Sequence, residues 1–163
     1  MKQEMTNNTL SRNVLEAIHQ SNIENLSSLI DANSIENSDK DGRTALLHAV
    51  LSKNLKVMKY LITLGCQINV SDKNGWSPLH YAAQSGNLEM AQILIDSKIQ
   101  VDMVDHYGNT ALGRAVFNSK GDGEMIKLLL KNGADPNLSN NAGISPLKLA
   151  NTIANYDVKQ FFK

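Results

Sequence analysis

Apolar residues fall at helical spacing in pairs of short runs, and the pairs recur along the chain. Val14, Leu15, Ala17 and Ile18 form one stripe, with Arg12, Asn13, Glu16 and His19 on the other side. After a polar turn at Ser21-Asn22, a second stripe carries Leu26, Leu29 and Ile30. The same alternation returns as Leu46, Leu47, Ala49 and Val50 followed by Val57, Met58, Leu61 and Ile62. Met90, Ala91, Ile93, Leu94 and Ile95 continue it, and then Leu128, Leu129 and Leu130. Apolar positions at this period predict amphipathic helices joined by short turns. Ser11 is the expected N-cap of the first helix, with Leu10 and Leu15 at the positions of a hydrophobic staple. Residues 1–9 are polar, rich in Asn and Thr, and expected to fray.

Polar turns separate the pairs, and they too repeat. Asp39 to Leu46 reads DKDGRTAL, Asp72 to Leu79 DKNGWSPL and Asp105 to Leu112 DHYGNTAL, with a weaker copy, NNAGISPL, from Asn140 to Leu147. Their glycines stand at 42, 75, 108 and 143, so the spacing is 33, 33 and 35. Glycine suits such turns because it adopts positive φ readily. In Ser77-Pro78-Leu79-His80 the hydroxyl is placed to cap a helix, Pro takes the first helical position and His80 the third, from which it can bond back. Thr44 is the expected cap of the preceding copy, and Gly65 suits the left-handed position closing its second helix.

A fixed period in the thirties marks a stacked helical array. On these turn and capping motifs the chain resembles the ankyrin-repeat family over nearly its whole length. The resemblance implies an all-α fold, a solenoid of about five helix-turn-helix units joined by β-hairpin-like loops. It would form one domain over residues 1–163: an N-terminal cap repeat at 10–38, internal repeats at 39–71, 72–104 and 105–139, and a C-terminal cap repeat at 140–163. The outer units are divergent and more polar, as end caps require. Against the family pattern, Lys98 replaces a capping Gly, which predicts a weaker helix end. Gly113 stands where the family has His, and His48 falls one place late. Two additional residues in Asn118 to Gly123 are expected to lengthen one turn. The last unit runs out at Lys163, inside its expected second helix.

Charge and cysteine content narrow the function. Sixteen basic residues balance sixteen acidic ones, so no net field draws the chain to nucleic acid or an anionic membrane. Cys66 is the only cysteine, which excludes an internal disulfide. No secretory leader is read at the N-terminus, and no stretch approaches the ~18 apolar residues of a membrane span. A cytoplasmic protein, monomeric in isolation, is the expectation; a secreted effector with a non-cleaved signal is the alternative. His19, His48, His80 and His106 are scattered without metal-ligand spacing, and Cys66 reads as an inert core thiol. Asp39, Asp72 and Asp105 are read as turn residues, and no catalytic ordering or phosphate loop is found, so no catalytic, cofactor or metal residue is assigned.

The resemblance implies protein binding through the hairpin tips and the inner-helix surface. Carried over position by position, it selects Asp41, Arg43, Ser52, Asn74, Trp76, Gln84, Ser85, His106, Tyr107, Asn109, Phe117 and Asn118. The one Trp, together with Tyr107 and Phe117, falls on this set, and such residues dominate interface energies. The competing reading has Phe117 folded under the enlarged loop and Trp76 covering a neighbouring hairpin. The expected activity is non-enzymatic: a protein that binds a protein partner, of the kind of bacterial immunity proteins that neutralise a cognate toxin domain. An effector or regulatory adaptor acting on host or cellular proteins is the alternative. An enzyme or metal protein on the same frame is the more distant one.

Overall fold

The α-helices of the described residues are short, seven to nine residues each, and side chains cap most of their N-termini. The computed structural model describes residues 9–162; most of the segment expected to fray, residues 1–8, and Lys163 lie outside them. The described residues form two compact units, divided between Gln67 and Ile68. The first holds α1 (Arg12–His19), α2 (Ile23–Leu29), α3 (Ala45–Leu51) and α4 (Leu55–Thr63). The second holds α5 (Pro78–Gln84), α6 (Leu88–Asp96), α7 (Ala111–Asn118), α8 (Glu124–Lys131), α9 (Pro146–Thr152) and a 3₁₀ turn (Val158–Phe162).

In the first unit, the Ser11 hydroxyl caps α1 by accepting from the Val14 amide. α1 pairs with α2, α3 with α4, and α1 packs on α3. Ile18, Leu26, Leu46, Leu47, Met58 and Leu61 are fully buried between them. Asn54 caps α4 with its carbonyl oxygen and donates its amide to the Ile18 carbonyl and the Ser21 hydroxyl, tying the two pairs together. Gly65, at φ 80°, closes α4 with two bonds, its own amide to the Ile62 carbonyl and that of Cys66 to Leu61. Burial pushes the Cys66 thiol up to about 12, so it is an inert core group.

Thr44 departs from expectation. It occupies the N-cap position of α3, but its hydroxyl makes no capping bond and is buried without a partner.

In the second unit, α5 packs on α7, α7 on α9 and α6 on α8, so first helices form one layer and second helices another. Leu79, Met90, Leu94, Leu112, Ile126 and Leu129 fill the space between. Asn87 caps α6, whereas Gly123, at the matching position of α8, offers no side chain. Lys98 adopts the left-handed conformation, φ 70°, and completes the same double bond that Gly65 makes, with its amide to Ile95 and that of Ile99 to Leu94. The geometry of the cap is kept, with a side chain where glycine is favoured.

The last pair has no second α-helix among the described residues. After α9 the described residues end in the 3₁₀ turn, whose Val158 is buried. Phe161 lies across Gly123, where an added Cβ would stand 2.5 Å from the ring, and Tyr156 covers Gly121. The enlarged turn thus seats the C-terminal aromatics, which take the place of a packed helix.

Candidate functional site

The turns that precede the first helices are built around carboxylates. Asp72 accepts from the amides of Asn74 and Trp76 and from the Tyr81 hydroxyl. Asp105 accepts from the amides of Tyr107 and Asn109, from the Asn109 side chain and from Arg114. Its side chain is 0 % exposed. Burial pushes the Asp105 carboxyl up, but Arg114 and the amide donors outweigh it and hold it below the usual range. In the first unit, Asp39 accepts from the amides of Asp41 and Arg43 and meets His48 Nε2 at 2.9 Å. These aspartates are structural hydrogen-bond acceptors, as the sequence reading has them.

Backbone bonds then join successive turns of the second unit. The His106 amide donates to the Asn74 carbonyl at 3.0 Å, and the Asn141 amide to that of Tyr107 at 2.9 Å. This spacing presents the tip residues in sequence.

Trp76 is half-buried. The Arg114 guanidinium lies 4.3 Å above its ring, and Tyr81 packs against it at 4.9 Å. Arg114 is thereby held twice, by the Asp105 carboxylate and by the indole face. Tyr107 is 70 % exposed and Phe117 71 % exposed. Phe117 is therefore not folded under the enlarged loop, and Trp76 packs against Tyr81 of its own repeat and Arg114 of α7. His106, Asn74, Gln84 and Ser85 are exposed, with the Ser85 hydroxyl bonded to the Ala82 carbonyl. Asn109 is committed to Asp105, and Asn118 donates to the Arg114 carbonyl. The remaining selected residues lie in the first unit: Arg43 pairs with Asp41 at 3.3 Å, and the Ser52 hydroxyl donates to His48.

Beside Phe117 opens a pocket of about 260 Å³. Gly113, Phe117, Ile144 and Leu149 supply its apolar wall, with Asn109, Asn140 and Arg114 completing it. A second cleft, about 300 Å³, lies between Gln84-Ser85 and the enlarged turn at Asn118-Ser119.

His80 shows what the Gly113 position ordinarily holds. Its Nδ1 accepts from the Ser77 amide at 3.2 Å, so Nε2 carries the proton and donates to the Asn109 carbonyl at 2.9 Å. Burial depresses the His80 pKa, the carbonyl bond opposing, so the neutral ring is favoured.

Among the described residues no group of three or more His, Cys, Asp or Glu side chains is arranged to hold a metal. No described helix is long and apolar enough to cross a membrane.

Arg114 was not singled out by the sequence reading, although a signal was present. It stands nine residues after Asp105, as Tyr81 does after Asp72 and His48 after Asp39, and each of the three bonds its aspartate.

A search of curated proteins finds no match to the chain. A family model described as Ankyrin repeats (3 copies) matches residues 5–72 and again 63–140. With those matches spanning most of the chain, and with capped helix pairs following aspartate-anchored turns, the protein belongs to the ankyrin-repeat family, whose repeats are non-enzymatic protein-interaction modules.

Proposed function

We propose that this protein binds a protein partner through the turn tips and first helices of its second unit. Tyr107, Phe117 and the Trp76–Arg114 stack form the centre of that surface. The observation that carries the reading is the exposure of two aromatic rings, 70 and 71 %, one of which, Phe117, lines a pocket with an arginine held by a carboxylate and an indole. Phe117 continues into the apolar wall formed by Ile144 and Leu149, and a contiguous apolar surface left in water marks an interaction site. An arginine fixed by a carboxylate and an indole loses little freedom on binding, which favours affinity. Asp41, Arg43 and Ser52 of the first unit are proposed as further contacts.

With no catalytic constellation assigned, such a protein acts by occupancy, and therefore stoichiometrically. We place an immunity-type role in the cytoplasm, sequestering a toxin domain, ahead of an effector or adaptor role. Co-expression with the captured partner separates them: rescue of growth supports the immunity reading.

The binding surface is tested by capturing the partner from the native source and titrating it calorimetrically. Tyr107→Ala and Phe117→Ala should each weaken binding by about 2 kcal/mol, with circular dichroism unchanged. Gln92→Ala, on the exposed side of α6, should bind as wild type does. The opposite pattern would remove this surface from consideration.

A further inference from the structure

We propose that the pocket beside Gly113 receives one bulky apolar side chain of the bound protein, carried on a segment with a carboxylate next to it. The proposal rests on the reading of this face as a protein-binding surface and names what that surface selects.

Gly113 is the third residue of α7, after the Thr110 cap, as His80 is the third residue of α5 after Ser77. In α5 the imidazole fills the space and bridges to the next turn at Asn109. In α7 nothing does. Local structure gives no reason for the glycine. Of the glycines described, Gly113 alone has neither positive φ nor a crowding neighbour; an added Cβ would meet only the Thr110 hydroxyl, at 3.8 Å. Glycine inside a helix weakens it relative to alanine. A residue that breaks a local rule without a compensating gain in the fold points to a functional site.

The size and lining of the pocket select the occupant. At about 260 Å³ it is smaller than the ~300–1,000 Å³ sites that enclose whole small molecules, and it suits a single side chain. Exposed edges of Phe117 and Ile144 extend the apolar wall outward, Ile144 being 37 % exposed. The charge around it is one-sided. None of the lining residues is a carboxylate, and Asp105, which neutralises part of Arg114, is fully buried. The Arg114 side chain remains 23 % exposed, and the Lys148 ammonium rests on the neutral carbonyl of Gly143, next to Ile144. A carboxylate beside the inserted side chain complements this rim.

The test uses the full chain and a displayed library of random peptides, followed by calorimetry of the enriched sequences. Enriched peptides should share a Phe, Leu or Trp adjacent to Asp or Glu. Gly113→His should lose them by ~tenfold or more, because the new ring occupies the pocket. The same variant should unfold at higher urea than wild type, since it can restore the reciprocal cap with Thr110; loss of binding then cannot be loss of fold. Lys148→Ala should weaken the peptides less, and mainly at low salt. Should Gly113→His not fold, Gly113→Leu fills the same space. Peptides lacking the apolar–acidic pair, or binding Gly113→His as they bind wild type, would overturn the proposal. So would free phenylacetate binding as tightly as the peptides, or a dimer of this chain that Gly113→His dissociates. Peptides lost on Tyr107→Ala but kept by Gly113→His would preserve the binding surface and remove the pocket. Peptides indifferent to both would remove both.

Discussion

The starts of α5 and α3 share the same aspartate turn but differ by one residue in the placement of a histidine, and the bonds that the histidine makes differ. At α5, His80 is the third helical residue; it closes a capping box with Ser77 and reaches the Asn109 carbonyl. At α3 the histidine stands one place later, turned by about 100° around the helix axis. From there His48 cannot return to the cap and bonds the Asp39 carboxylate instead, while the Thr44 hydroxyl stays buried and unpaired. One register step thus moves a histidine from sealing a helix to sealing a turn. The helix left without its cap is held by the buried Leu46 and Leu47. Side-chain capping is therefore one of two ways this fold secures a first helix, and packing is the other.

The largest effects should be common to both regions. Leu61 in α4 and Leu94 in α6 are both fully buried. Truncation of either to Ala should cost about 2–5 kcal/mol, read from urea midpoints of the unfolding transition. A large loss for one and none for the other would mean that the two units do not rely on packing alike.

Next come the histidines themselves. His80→Ala should cost about 2–3 kcal/mol, since it leaves the Ser77 amide without its acceptor in a buried site, whereas the Asn109 carbonyl keeps the Asp105 amide. His48→Ala should cost about 1 kcal/mol, because Asp39 keeps its amide donors. Equal losses in urea unfolding would contradict the division of labour between cap and turn.

Acid should sharpen the contrast. Burial holds the His80 pKa below the ordinary 6.5, as it does for His48 despite Asp39. Between 6.5 and the depressed value, the unfolded chain takes up a proton that the folded chain refuses. Stability should therefore fall as pH drops below 6.5 and be insensitive to pH just above it. Asp39 and Asp105, held low, add their loss only as pH falls below 3.8. Urea midpoints taken from about pH 7 to 5 should decline, and His80→Gln should flatten that decline. An unchanged slope in the variant would show that the His80 ring is not the group responsible.

The smallest effects concern the capping hydroxyls. Ser77→Ala should cost about 1 kcal/mol. Thr44→Val should lie within about 0.5 kcal/mol of wild type or stabilise, because it removes a buried hydroxyl that has no partner. A Thr44→Val loss as large as that of Ser77→Ala would mean that the Thr44 hydroxyl does cap α3 in solution.

Much of this arrangement is legible in the sequence because it is local. The caps at Ser11 and Ser77, the left-handed closure at Gly65 and the aspartate turns each depend on residues within a few positions of one another. The exposed Tyr107 and Phe117 follow from positions that the repeat leaves unspecified. The rest depends on distance along the chain. Phe161 seats on Gly123 across nearly forty residues, so the glycines of the enlarged turn read as mere flexibility until the 3₁₀ turn is seen. Arg114 lay hidden because its partners, Asp105 and Trp76, belong to different turns. Thr44 is not separable by sequence because the same Gly-x-Thr-Ala-Leu motif stands at Thr110, whose hydroxyl does cap its helix.

The backbone bonds between successive turns of the second unit have a consequence for how such a protein changes over generations. A Cβ on Gly75 would stand 2.8 Å from the His106 nitrogen, and one on Gly108 2.9 Å from that of Asn141. Turn-to-turn distance is therefore set chiefly by main-chain atoms meeting at glycines, with the Asn141 side chain adding one bond to the His106 carbonyl. Mutation at Asn74, His106 or Tyr107 can replace one chemical group by another while the ruler beneath stays fixed. On the proposed reading of these tips as partner contacts, such substitutions would change what is bound while the turns keep their spacing.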